Sequence, residues 1–195
     1  IARKRFLEMM SNEADRMARL IGDLLSLSKL QASERVAPID RIDLFKILTS
    51  VSSSLSGLAT RNNIELNLNL SHSMPLVIGD SDELTQVFQN LIENAIKYSG
   101  TGSTVTVSFK PPKEGKSHLF ISVEDSGEGI GPAQIPRLTE RFYRVDKGRS
   151  RAQGGTGLGL AIVKHILIRH RGWLKISSQL GKGSIFAVYL PISKT

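Results

Sequence analysis

Asn90, Asn94, Lys97 and Tyr98 fall four, three and one positions apart in the chain. On a helix, residues three or four apart share a face, so the first three line one stripe and Tyr98 continues it. An amide oxygen can coordinate Mg²⁺, an ammonium can meet a phosphate, and a phenol ring can pack beside a base. A solvated polar face is the plain alternative, although asparagine is a weak helix former. Asp125 ends the apolar run Leu119-Phe-Ile-Ser-Val-Glu and opens Asp-Ser-Gly-Glu-Gly. Its carboxylate can accept a hydrogen bond from an exocyclic amine such as that of adenine, and Gly127 and Gly129 let the backbone approach a flat ring closely. An ordinary Asp-Ser-Gly turn at a strand end fits the same letters equally well.

Gly154-Gly-Thr-Gly-Leu-Gly-Leu160 carries the sharpest local signal. Gly155, Gly157 and Gly159 leave successive backbone amides open around Leu158, and a helix starting there aims its positive end at them, which makes a cradle for polyphosphate. No Gly-Lys-Ser/Thr closes the segment, and a charged loop rather than a strand leads into it, so neither a Walker loop nor a dinucleotide fingerprint fits. A flexible hinge is the remaining alternative. Between the two glycine clusters lie Arg137, Arg141, Arg144, Lys147, Arg149 and Arg151, offset by Glu140 and Asp146. Such a segment reads as a basic cover that closes over phosphate, with Phe142 and Tyr143 anchoring it and Arg144 the preferred phosphate contact. A solvated charged loop would use the other arginines. Ser184, after Gly181-Lys-Gly, can turn its hydroxyl toward a base or serve as a plain strand serine. His165 and His170 have no adjacent carboxylate in sequence and are read as helix residues rather than phospho-acceptors.

These groups need rigid elements beneath them. Residues 1 to about 34 read as one amphipathic helix, with Phe6, Met10, Met17, Leu20, Leu24 and Leu27 on a stripe widened by Leu7, Ala14, Ile21 and Leu25. A stripe this broad calls for a second helix, expected upstream or in another subunit. Pro38 marks a linker. Asp43 and Asp80 or Ser81 read as caps of two further helices, the second carrying the asparagines. Ile64–Leu70, Val105–Phe109, Leu119–Glu124, Leu174–Ser178 and Ser184–Leu190 read as strands, with a Pro-Pro-Lys-Glu-Gly connection between the second and third and a helix over Leu158–Ile168. Helices on one side of a mostly antiparallel sheet make an α/β sandwich.

The bulk numbers agree. At 195 residues the chain can bury a core without staples, and its lack of cysteine excludes disulfides, thiolate metal sites and cysteine nucleophiles. Four scattered histidines argue against a zinc site. The formal charge of +8 invites nucleic acid as a ligand, but three tyrosines and one tryptophan supply no interleaved aromatic platform. No nucleic-acid role is expected. No stretch approaches a membrane span and the start lacks a signal-peptide core.

The ordered motifs resemble the cytoplasmic core of a bacterial two-component sensor histidine kinase of the phosphate-regulon sensor type, within the ATP-binding superfamily shared by gyrase, Hsp90 and MutL. Asn90-Leu-Ile-Glu-Asn-Ala-Ile-Lys-Tyr-Ser99 is similar to its N box, Asp125–Ile130 to its first glycine box, Arg141–Asp146 to its F box, Gly155–Leu160 to its second glycine box, and Gly181–Phe186 to the strand signature that follows. The resemblance implies a Bergerat-type ATP-binding fold over residues 37–195, preceded by part of a dimerising helical hairpin over 1–36. It implies Mg²⁺ on Asn94 with Asn90 nearby, Lys97 and Arg144 near phosphates, Tyr98 lining the base pocket and Asp125 on adenine. Gly155, Gly157, Leu158 and Gly159 would embrace the phosphate chain beneath a 132–154 lid.

Implied partners are ATP, a response-regulator receiver domain and a second copy of the intact protein, itself anchored in the inner membrane. The family's phospho-accepting histidine sits in a His-Glu/Asp-Leu-Arg-Thr-Pro-like box on the first hairpin helix, and no such box occurs here. The chain is therefore expected to bind ATP but not to phosphorylate itself. Two rivals follow from the same resemblance. Hydrolases and serine-type kinases of the superfamily place a glutamate base where this chain has Asn90, and a non-catalytic nucleotide-binding module would keep the pocket alone.

Overall fold

The computed structural model describes residues 2–33, 36–111, 117–145 and 155–193. The Pro-Pro-Lys-Glu-Gly connection beyond Pro111, and Asp146, Lys147, Arg149, Arg151 and Gly154 of the basic cover, lie outside the described residues.

A 32-residue helix, α1 (Ala2–Ser33), leads into a short strand, β1 (Asp40–Ile42), and then α2 (Leu44–Arg61). Asp43 starts α2 as the sequence predicts: its carboxylate accepts the amides of Phe45 at 3.0 Å and Lys46 at 3.4 Å, satisfying donors that the first helical turn leaves open. After β2 (Glu65–Asn69) and β3 (Val77–Gly79), Asp80 does the same for α3 (Ser81–Tyr98), accepting the amides of Asp82 and Glu83 at 3.0 Å each. Strands β4 (Thr104–Lys110) and β5 (His118–Asp125) follow, then a 3₁₀ turn at Ile135–Arg137, α4 (Gly159–Arg169), β6 (Trp173–Gln179) and β7 (Gly183–Pro191).

Five strands form one sheet in the order β2-β4-β5-β7-β6. The β2–β4 pair is parallel, bridged by the α3 crossover that a parallel pair requires, and the other pairs are antiparallel. Alternation sends Val105, Val107, Leu119, Ile121, Val123, Val188 and Leu190 to one face, where they are wholly buried with Leu84, Phe88, Leu91 and Ile92 of α3 and Ile162 and Ile166 of α4. The two-layer sandwich expected from the sequence is the one observed. On the opposite face Trp173 stacks on Tyr189 at 4.7 Å, Phe120 meets Tyr189 edge-on at 5.3 Å, and the Lys110 ammonium lies 5.7 Å from the Phe120 ring centre.

Two features go beyond the sequence reading. β1 and β3 pair antiparallel as a separate ribbon, Asp40 opposite Gly79, with three residues in each strand, too few to display an alternation. The apolar stripe of α1 is divided between two uses. Leu27 and Leu30 are buried in the domain core and Leu20 packs against it, whereas Phe6, Met10, Met17 and Leu24 are exposed.

Candidate functional site

Helix α3 is the spine of the site. Its half-buried Asn90, Asn94 and Lys97 and its exposed Tyr98 follow one edge, and Asn90 to Tyr98 spans about 12 Å at 1.5 Å per residue. Each end of that edge meets one glycine cluster.

At the C-terminal end, a Cβ on Gly127 would lie 2.2 Å from the Tyr98 carbonyl oxygen. Glycine at this position lets the loop after β5 lie directly against the end of α3. The same contact brings in Asp125, 4% exposed, whose Oδ1 accepts the Gly127 amide at 2.9 Å. Asp125 and Ser184 are register partners across β5 and β7. Burial pushes the Asp125 carboxyl above the ordinary range, while the Gly127 and Ser184 amides pull it back in part. Gly129 lies beneath the Gln179 carbonyl. The Ser184 hydroxyl is buried 3.0 Å from that of Ser178, which also accepts the Ile130 amide at 2.8 Å and donates to the Gly183 carbonyl at 2.8 Å. Ser178 thus ties the first glycine loop to the sheet; as one serine in an alternating strand it carries no sequence signal.

At the other end, α4 begins at Gly159 after Leu158, with no side-chain cap on its first turn among the described residues. The open amides and helix dipole favour an anion there. A Cβ on Gly159 would come within 2.5 Å of Asn90 Oδ1, while Asn90 Nδ2 donates to the Gln86 carbonyl at 2.9 Å. The second glycine cluster is therefore seated on the asparagine stripe. Gly157, at φ +74°, packs its Cα against the Phe142 backbone, and the Phe142 amide donates to the Gly157 carbonyl at 2.9 Å. Phe142 is itself at φ +62°, a costly conformation for a bulky residue. Gly155 is half-buried at the loop entrance.

The predicted cations divide. Lys97 pairs with Glu93 at 2.6 Å. Arg137 pairs with Glu140 at 3.3 Å and lies 4.3 Å over the Tyr143 ring, so it holds the cover's aromatic anchor. Arg144 is half-buried and its Nη2 is buried with no hydrogen-bond partner among the described residues. An orphaned guanidinium nitrogen costs stability unless an anion completes it. Thr156, which carries no sequence signal of its own, donates to Asp23 of α1 at 2.6 Å and accepts the Leu158 amide at 3.3 Å. His170 is structural: buried at the end of α4, its Nε2 accepts the Asp80 amide at 3.0 Å, which makes Nδ1 the donor to the Ile166 carbonyl at 2.8 Å.

Along one edge, then, stand a buried carboxylate suited to an amine, amide oxygens suited to a hard cation, and a helix start suited to anions. Residues 79–194 match the family model described as histidine kinase-, DNA gyrase B-, and HSP90-like ATPase. The chain belongs to this ATPase family. Within it the chain is the ATP-binding catalytic region of a sensor histidine kinase. It is 42% identical over 185 residues to the phosphate regulon sensor protein PhoR of Pseudomonas aeruginosa, covering 95% of this chain and 41% of that protein. It is 41% identical over 188 residues to the sensor-like histidine kinase SenX3 of Mycolicibacterium smegmatis, covering 96% of this chain and 48% of that protein. The chain thus spans less than half the length of these relatives. Among solved structures it resembles full-length ShkA in complex with AMPPNP, at TM-score 0.82 and 25% identity, covering 100% of this chain and 40% of that one. It also resembles the mycobacterial sensor histidine kinase MprB, at TM-score 0.66 and 28% identity, covering 80% of this chain and 99% of that one. Among the described residues no helix is long and apolar enough to cross a membrane.

Proposed function

We propose that this chain binds Mg²⁺–ATP along the α3 edge and transfers the γ-phosphoryl group to a histidine on another segment, for relay to a receiver-domain aspartate. The observation that carries the reading is the seating of both glycine clusters on one helix, Gly159 against Asn90 and Gly127 against Tyr98. The complex of ShkA with AMPPNP supports the same ligand class.

In this reading Asp125 accepts the adenine amine and Tyr98 borders the base, with Gly127, Gly129 and Ser184 shaping that end. The amides of Gly155, Gly157 and Gly159, with that of Leu158 once it leaves the Thr156 hydroxyl, receive the phosphates, and Arg144 Nη2 finds its missing acceptor there. The donor set fits magnesium: Asn90 and Asn94, half-buried on one edge of α3, offer hard amide oxygens, and magnesium characteristically takes few protein ligands beside phosphates and water. Asn94, with Asn90 beside it, would hold the ion, which offsets phosphate charge. Lys97 would exchange Glu93 for phosphate.

The histidine nitrogen attacks the γ-phosphorus, the bond to the β,γ-bridging oxygen breaks, ADP leaves and the ring proton passes to solvent or a base. The chain's own contribution is positioning and charge stabilisation. Asn90 stands where the hydrolases carry their base, so water is not activated. A homodimer through the helical hairpin and an inner-membrane anchor belong to the intact protein in this reading. The test is calorimetry with an ATP analogue and Mg²⁺, followed by labelled ATP with a separately supplied hairpin bearing the histidine. Saturable binding and a labelled hairpin are expected; binding without label rejects the transfer step, and no binding rejects the whole reading.

A further inference from the structure

The Asp23–Thr156 hydrogen bond joins positions 133 residues apart and reaches the second glycine cluster from α1. It does not stand alone. Ser26 of α1 donates to Gln86 of α3 at 3.2 Å, Leu27 and Leu30 are buried in the domain core, and Arg169 of α4 donates to the Val36 carbonyl at 2.9 Å. The C-terminal third of α1 is therefore docked on the domain beside the glycine loop, and the chain just after it, at Val36, is held at the far end of α4, while the N-terminal part of α1 is exposed. In this docked arrangement the α1 group bonded to the loop is a carboxylate, beside the helix start that favours negative charge.

We propose that Asp23 is an anionic latch: its carboxylate, held by Thr156, competes electrostatically with the phosphates of the nucleotide, so polyphosphate binding and α1 docking oppose one another. The inference rests on the nucleotide reading above and adds its regulation. A polyanion brought to the amides beside Thr156 repels Asp23 through a partly desolvated path, where charge interactions are screened less than in water. By linkage, a ligand that weakens docking is itself weakened by docking to the same degree, and couplings of this kind commonly span about 5- to 150-fold. Adenosine, which has no phosphate, should escape the penalty.

The experiment uses the full 195-residue chain. Affinities for a non-hydrolysable ATP analogue and for adenosine are compared in wild type, Asp23→Asn and the charge-matched control Asp15→Asn, whose exposed position lies two helical turns away on α1. Asp23→Asn, which keeps an acceptor for Thr156, is expected to tighten the analogue by about fivefold or more, with adenosine unchanged and Asp15→Asn like wild type. Hydrogen exchange at residues 20–30 should rise on adding the analogue to wild type and not on adding adenosine. Equal analogue affinity in wild type and Asp23→Asn, with no change in exchange, overturns the latch while leaving the binding reading intact. Loss of analogue binding in wild type itself removes both.

Discussion

At the scale of single residues, the site sits where backbone approaches backbone. Gly127→Ala would set a Cβ 2.2 Å from a main-chain carbonyl that cannot rotate away, so lower stability and lost nucleotide affinity are expected together. Gly159→Ala differs. Its Cβ meets the end of a side chain, Asn90 Oδ1 at 2.5 Å, which can swing aside, and alanine favours a helix by about 1 kcal/mol over glycine. The thermal midpoint should hold or rise while phosphoryl transfer drops, which separates the role of Asn90 from folding. Asp125 makes a third case. Its folded pKa lies above the ordinary carboxylate value, so its contribution to stability is present at acid pH and lost as pH rises through that pKa. Asp125→Asn should therefore raise the midpoint at neutral pH, with the gain shrinking toward pH 4, and weaken nucleotide binding by about tenfold or more, as befits loss of a charged hydrogen bond of about 1.5–3 kcal/mol. Thermal denaturation across pH with parallel calorimetry checks both halves. The glycines and Asp125 were legible in sequence because their meaning is local. Ser178 and Thr156 are not, because each acts through a partner remote in sequence, Ile130 at 48 positions and Asp23 of α1 at 133.

Among the elements, helix starts are legible from single aspartates, since a cap is a contact two or three positions long. The β1–β3 ribbon is not legible in the sequence because three residues show no period and the pairing bridges α2 and β2. His170 belongs to this scale. It joins the C-terminus of α4 to the cap of α3 and is held neutral by burial, with Glu83 Oε2 3.8 Å away and Arg169 and Asp80 the other charges that face it. Its folded pKa is lowered from 6.5, so the stability it contributes is full above that value and lost as pH falls toward the folded pKa. Urea midpoints should decline from pH 7.5 to 5.5 more steeply in wild type than in His170→Asn. Equal slopes would mean that the acid response lies elsewhere.

At the level of the whole molecule, the exposed apolar face of α1 is the feature expected to govern association. Phe6, Met9, Met10, Met17 and Ile21 are each more than half exposed, a surface that water does not leave uncovered at high concentration. Light scattering should show a mass that grows with concentration in wild type, and Met10→Glu with Met17→Glu should hold it at the monomer while ATP-analogue affinity stays within twofold. The sequence disclosed that α1 needed a partner but not that its last turns had one within the chain, because amphipathicity records a buried face and not what buries it. A practical corollary comes from the outer face of the sheet. The sole tryptophan, Trp173, rests on Tyr189, displaced from Ser184 and the Asp125 pole by roughly 17 Å of strand. Its emission, fed by the neighbouring phenol, should register the melting of β6 from β7 yet stay silent as ligand fills the far side, giving a folding gauge and a binding assay that can be run in one cuvette without interfering.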